Sequence, residues 1–146
     1  MGKSYAFTKK YDNITHVLTL PVSISLIGSN GKYETQGIID TGAICSVVSM
    51  NVVEKLGGIP FSYQFINTAS AHNTLTPLYK AAVVLCGKLE ITNLTVSDGI
   101  LPVGEECLIG MDILALGDLA ATHFDGKTCI SFRIPSLQSI EFTEDS

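Results

Sequence analysis

The residues best suited to chemistry sit in one hexapeptide, Ile38-Ile39-Asp40-Thr41-Gly42-Ala43. A carboxylate that follows two β-branched residues stands at the end of a buried strand, where burial and neighbours perturb its proton affinity. Gly42 lets the backbone approach a ligand or a second chain closely, and Thr41 offers a hydroxyl for a local or cross-chain hydrogen bond. Asp-Thr-Gly is also ordinary turn chemistry, and taken alone it reads first as a turn. A companion segment lies further along the chain. Leu108-Ile109-Gly110-Met111-Asp112-Ile113-Leu114 supplies two apolar residues, a glycine and a helix start.

Rival chemistries find less support. Asp112 could face Asp40 within one chain, but at a helix start the helix dipole explains it better. Cys45 could pair with His72 or His123, yet nothing in the sequence positions either imidazole, and His72 reads as a solvated loop-tip residue. Ser46 and Ser49 lie in no G-x-S-x-G elbow. Gly2-Lys3-Ser4 lacks the upstream glycine and strand of a phosphate loop. Cys45, Cys86, Cys107 and Cys129 are widely spaced with no C-x-x-C pair, which argues against a zinc site or a disulfide framework. Each reads as a small buried hydrophobe.

The elements that must position Asp40 are mostly strands. His16–Ile27 is rich in β-branched residues, and Asn30-Gly31 then turns the chain into a return strand, Tyr33 to about Ile39. Pro21 suggests an edge strand or a bulge. Ser49 as N-cap and Gly57 as terminator bound a two-turn helix. Phe61–Leu85 reads as a long hairpin with its tip near Ala69-Ser70-Ala71-His72-Asn73. Cys86-Gly87-Lys88 turns into Leu89–Val96, closed by Asp98-Gly99. Cys107–Gly110 is a short strand running into a helix, Met111–Leu116, and His123–Phe132 is an Asp-Gly hairpin. Many short strands and two brief helices predict one mostly-β domain over residues 1–146, with a core of about 16–135 and an acidic tail at 141–146.

Composition narrows the function classes. The chain has 146 residues, a net charge of −5, 46% apolar residues and only 16% charged ones. Lys9-Lys10 is the only basic pair, so no stripe exists to neutralise phosphates, and no nucleic-acid partner is expected. The thinly charged surface fits a buried subunit interface or a tightly packed β-domain. No apolar run approaches the ~20 residues of a membrane span. The N-terminus has no apolar signal region, and Ala6 stands where a myristoylation motif wants Ser or Thr. No membrane partner is expected, and the reading is cytoplasmic.

Hairpin, D-T-G-A, a second hairpin, further strands, then apolar-apolar-Gly with a short helix is an order that resembles the retropepsin-type (retroviral-like) aspartic proteases. The resemblance runs from about His16 to Phe132. It is nearest to the bacterial single-domain branch, whose Gly-Met-Asp segment is similar to Gly110-Met111-Asp112. The chain departs from the retroviral pattern in two places. The acidic residue after D-T-G-A and its Arg partner after the downstream Gly are here Ile44 and Met111, and losing both leaves no orphan charge. The flap tip, Asn67–Asn73, contains no glycine.

The resemblance implies an all-β retropepsin-like acid protease barrel with a flap hairpin and one or two short helices. It gives Asp40 the catalytic role, with Thr41, Gly42, Ala43 and Gly110 in support and Ala69, Ser70, Ala71, His72 and Asn73 in the substrate-binding flap. Such catalysis needs two carboxylates sharing one proton, and this chain holds one D-T-G and no D-S-G. A two-fold homodimer would supply the second. The expected activity is endopeptidase action on a peptide or protein substrate, with no metal and no cofactor. A catalytically silent module of the same fold, used for dimerisation or peptide binding, is the alternative. An unrelated β-barrel binding domain with Asp40 in a turn is the third reading.

Overall fold

The computed structural model describes residues 5–29, 31–67 and 73–144. The chain enters as β1 (Tyr5–Lys10), then forms an antiparallel hairpin from β2 (Thr19–Leu26) and β3 (Tyr33–Ile39). In β2 every second residue, Leu20, Val22, Ile24 and Leu26, is buried, as the two-residue period of a strand requires. The loop carrying Asp40 leads to β4 (Val47–Ser49) and α1 (Met50–Leu56). Ser49 Oγ accepts the Val52 N–H, and Gly57 ends the helix at a φ of 65°, where a residue with a Cβ would be strained.

A second hairpin follows from β5 (Ser62–Ile66) and β6 (Thr74–Leu85), and β7 (Leu89–Gly99) returns along β6. Then come β8 (Cys107–Ile109), α2 (Met111–Leu114), β9 (Asp118–Thr122), a 3₁₀ turn at Phe124–Gly126 and β10 (Cys129–Ile134). Strands β2-β3-β8-β4-β7-β6 are consecutive neighbours, and pairing of β2 with β6 closes them into a six-strand barrel. Closure leaves these strands without free edges. The β5–β6 hairpin extends beyond the barrel. The interior is close-packed: the void among Val22, Val48, Ile109 and Ile113 is only ≈ 10 Å³, at the lower limit for one water. No helix among the described residues is long and apolar enough to cross a membrane.

The remaining strands form a separate sheet, β1-β10-β9. Phe7 of β1 meets Phe132 of β10 edge to face, with centroids 6.1 Å apart, and both are buried. β1 lies ahead of the expected core boundary at residue 16, so the ordered sheet structure begins earlier than the sequence suggested. The last hairpin also differs from expectation. Its first arm is β9, upstream of His123, because α2 stops at Leu114 rather than Leu116 and releases the chain sooner. Pro21 is not on an edge, since β2 is paired on both sides. It stands one residue before the ladder to β6 begins at Val22, and its carbonyl accepts the Cys86 N–H.

Candidate active site

The loop of Asp40 owes its shape to a strand crossing. β8 lies between β3 and β4, parallel to the first (Ile39 beside Ile109) and antiparallel to the second (Val47 beside Leu108). Residues 40–46 must therefore pass over the end of β8, and backbone bonds fasten them there. Asp40 N–H donates to Ile109 O at 2.9 Å, Met111 N–H to Ala43 O at 2.8 Å, and Asp112 N–H to Ile44 O at 3.1 Å. Gly110 is required by this approach. A Cβ on it would stand 2.8 Å from Ala43 O and 2.8 Å from the carbonyl carbon of Cys45.

Ser46 and Asp112 complete the junction. The buried Ser46 donates its N–H to Asp112 Oδ2 at 2.9 Å and its hydroxyl to Asp112 Oδ1 at 2.7 Å. The same hydroxyl accepts the Gly110 N–H at 3.0 Å. Asp112 does stand in the first turn of α2, where Oδ1 also accepts the Ile113 N–H, but its main engagement is with Ser46 rather than with the helix dipole or Asp40. Sequence reasoning dismissed Ser46 because it sought a nucleophile. The available signal was a lone hydroxyl between apolar Cys45 and Val47.

Ile44 and Met111 are not a buried replacement for an ion pair. Ile44 is 83% exposed and Met111 40% exposed, and the loop is joined to α2 through their backbones instead. The cysteines also depart from the buried-hydrophobe reading: Cys107 is buried, Cys86 and Cys129 are half-buried, and Cys45 is exposed. Burial, with Asp112 nearby, pushes the Cys107 thiol up to about 12, so it stays protonated.

Asp40 is half-buried, and its Oδ1 accepts the Gly42 N–H at 2.9 Å. A Cβ on Gly42 would come within 3.2 Å of that oxygen. Asp40 lines an open cavity of ≈ 600 Å³ shared with Thr41, Leu18, His16 and Leu119. A second cavity, ≈ 260 Å³, lies where Cys45 and Asp112 of the site junction meet Gln64, Ile66 and Leu78 of the β5–β6 hairpin. The hairpin therefore borders the far end of the Asp40 loop, at Cys45.

Of the expected flap residues, Ala69, Ser70, Ala71 and His72 lie outside the described residues. Asn73 has a φ of 52° and donates its N–H to Asn67 Oδ1 at 2.7 Å. Cys45 and His123 line different cavities, and His123 Nδ1 bonds Thr128 Oγ1 at 2.9 Å. Among the described residues, no three His, Cys, Asp or Glu side chains gather closely enough to hold a metal ion.

A closed barrel, an Asp-Thr-Gly loop passed over an inserted strand and a projecting hairpin define the retropepsin-like aspartic protease fold. The chain belongs to the family described as gag-polyprotein putative aspartyl protease, whose model matches residues 27–115. Among solved structures it is similar to a retropepsin-like aspartic protease from Rickettsia conorii, with a TM-score of 0.55 and 13% identity over 92% of this chain and 98% of that one. It is also similar to the retroviral protease-like domain of Ddi1 from Leishmania major, with a TM-score of 0.45 and 14% identity over 82% and 94% of the two chains. The foamy viral protease-reverse transcriptase, solved in complex with an RNA/DNA hybrid, matches with a TM-score of 0.48 and 21% identity over 70% of this chain and 12% of that one. No curated protein matches the chain. At 13% identity the likeness to the Rickettsia conorii structure shows the fold alone, and activity must be argued from the site.

Proposed function

We propose that the protein is a homodimeric aspartic endopeptidase that activates a water between two Asp40 carboxylates, one from each protomer. The observation that carries this reading is Asp40 itself: a half-buried residue just past a strand end whose Oδ1 accepts the Gly42 N–H and which lines an open cavity. The sequence holds a single Asp-Thr-Gly, so the second carboxylate comes from another copy. Two carboxylates about 3 Å apart cannot both ionise, and the pair holds one proton. The ionised member takes a proton from the water as it attacks the scissile carbonyl, while the neutral member donates a hydrogen bond to the carbonyl oxygen. Proton return to the leaving nitrogen then completes cleavage.

Thr41 braces the two active-site loops against each other, and Gly42 admits the substrate backbone. Ala43 and Gly110 hold the loop at the strand crossing. Residues 69–73 form part of the flap over a peptide bound in extended form, through main-chain bonds of the kind made in strand addition. No metal or organic cofactor takes part in this reading.

Cleavage of a diverse peptide mixture, read by mass spectrometry from acidic to neutral pH beside Asp40→Asn, tests it. Cleavage by the native chain that disappears in the variant supports the protease. Folded dimers of both that cut nothing at any pH would instead favour a silent peptide-binding module, a second reading that the glycine-free segment Asn67–Asn73 supports.

A further inference from the structure

Two of the three histidines border a cavity that the mechanism above does not use. His16 lies between β1 and β2, and His123 follows β9. With Ile14, Thr15 and Leu18 they line an open cavity of ≈ 400 Å³. His16 and Leu18 also line the Asp40 cavity, so the two cavities adjoin.

Thr128 decides which nitrogen of His123 carries hydrogen. This threonine is fully buried, and its Oγ1 accepts the Thr15 N–H at 3.0 Å. Among the described residues, the one acceptor within reach of its hydroxyl hydrogen is His123 Nδ1, at 2.9 Å. With Nδ1–H as the donor instead, that hydrogen would be stranded in the interior, away from water. The hydroxyl therefore donates, Nδ1 accepts, and the neutral ring carries its hydrogen on Nε2. Among the described residues, His123 Nε2 has no hydrogen-bond partner, and neither has the ring of His16. Both residues are exposed to solvent.

The surroundings select what those donors hold. Ile14 and Leu18 give the cavity an apolar lining, and no acidic residue borders it. Asp12 and Asp125, close in sequence, line neither cavity. Glu105 lines the Asp40 cavity, where an acidic ligand group would meet a like charge. A carboxylate is an acceptor with two oxygens and no hydrogen to place, which matches two imidazole donors. We propose that the His16–His123 cavity binds the carboxylate of an aspartate or glutamate side chain in the peptide substrate. The peptide runs from the Asp40 cavity past Leu18, so the acidic residue lies to one side of the scissile bond. This specificity rests on the protease reading above.

The test uses paired synthetic peptides that differ only in Glu or Gln, with that position scanned along an otherwise neutral sequence. Cleavage is measured with the native chain, and binding with Asp40→Asn by fluorescence anisotropy. At one position the Glu peptide should be favoured about tenfold in both kcat/KM and Kd, the scale of one charged hydrogen bond. His123→Ala should cut that ratio severalfold, and His16→Ala/His123→Ala should bring it to about one. A variant that merely loosened the fold would weaken both peptides and leave the ratio standing. A ratio that survives both variants overturns the site. Cleavage with no Glu preference at any position also overturns it and leaves the protease reading intact. Glu-selective binding without cleavage by the native chain supports the site and sinks the protease reading. Neither binding nor cleavage overturns both. Imidazole nitrogen NMR of the native chain at mildly alkaline pH needs no variant. Hydrogen on His123 Nε2 is expected, and hydrogen on Nδ1 overturns the donor assignment on which the site depends.

Discussion

Asp112 grips Ser46 with both carboxylate oxygens, one on the Ser46 N–H at 2.9 Å and one on its hydroxyl at 2.7 Å. Because that hydroxyl also accepts the Gly110 N–H, one serine joins the Asp40 loop, the end of β8 and the start of α2. This clamp makes the connection where an ion pair at positions 44 and 111 is missing. Ser46→Ala should therefore leave the buried Gly110 N–H without its acceptor, and Asp112 Oδ1 with the Ile113 N–H alone. A loss of about 1–3 kcal/mol follows from such desolvated, unpaired groups. Urea denaturation should show a lower midpoint at unchanged slope, and peptide cleavage should weaken with it. An unchanged midpoint would mean that the clamp contributes nothing to stability.

Gly110→Ala tests the same junction through sterics. The new methyl would sit 2.8 Å from Ala43 O and from the carbonyl carbon of Cys45, and both obstacles are backbone. Overpacking of this kind costs about 1–3 kcal/mol. The strain falls on the loop that carries Asp40, so cleavage should drop further than the stability loss alone explains. The check is kcat measured well below the variant's unfolding temperature. Full activity there would show that the loop can move aside at no cost to its geometry.

What was legible in the sequence is what local chemistry encodes. Ser49 and Gly57 bound α1 because cap preferences act within one turn, and Asp40 ends β3 because strand and turn signals adjoin there. β1 and β9 were missed for a related reason. Thr8-Lys9-Lys10 and Ala120-Ala121-Thr122 carry little apolar alternation; β1 exists by pairing with the distant β10, and β9 by folding back on β10 as a hairpin. The partnership of Ser46 with Asp112 was invisible too, since it depends on β8 inserting between β3 and β4. Nothing in the spacing of the two residues announces that crossing.

Glu106 makes part of the stability pH-dependent. Its Oε2 accepts from Tyr33 Oη at 2.7 Å and Asn51 Nδ2 at 3.2 Å, and its Oε1 from Thr35 Oγ1 at 2.8 Å, joining α1 to β3. The Tyr33 bond, helped by Thr35, Asn51 and the nearby Lys55, holds the carboxyl below its ordinary 4.5. A depressed native value stabilises the fold above the unfolded pKa, and that stability is lost as pH falls through the native one. Glu106→Gln should be less stable at neutral pH by about 1 kcal/mol, the scale of one lost charged bond on a half-buried group. The difference should shrink as pH falls below 4.5. Denaturation midpoints of both proteins across that range decide it, and a gap constant with pH would assign the loss to packing.

Asp98 should behave in the opposite sense. Burial raises its carboxyl above the ordinary 3.8, and the Tyr79 hydroxyl, donating to Oδ2 at 3.3 Å, offsets that only in part. Tyr79 is pushed up to about 12, mainly by burial and then by Asp98, so it remains a donor throughout the working range. A raised native pKa gives stability that is complete below the unfolded value and lost as pH rises through the native one. Asp98→Asn keeps an acceptor for Tyr79 and removes the ionisation. It should be more stable than the native chain at neutral pH and converge with it as pH approaches 3.8. Tyr79→Phe removes the offsetting bond, so the native Asp98 titration should move further up. NMR titration of the Asp98 carboxyl in the two backgrounds reads this directly: a value unmoved by the loss of the hydroxyl would leave burial as the whole cause.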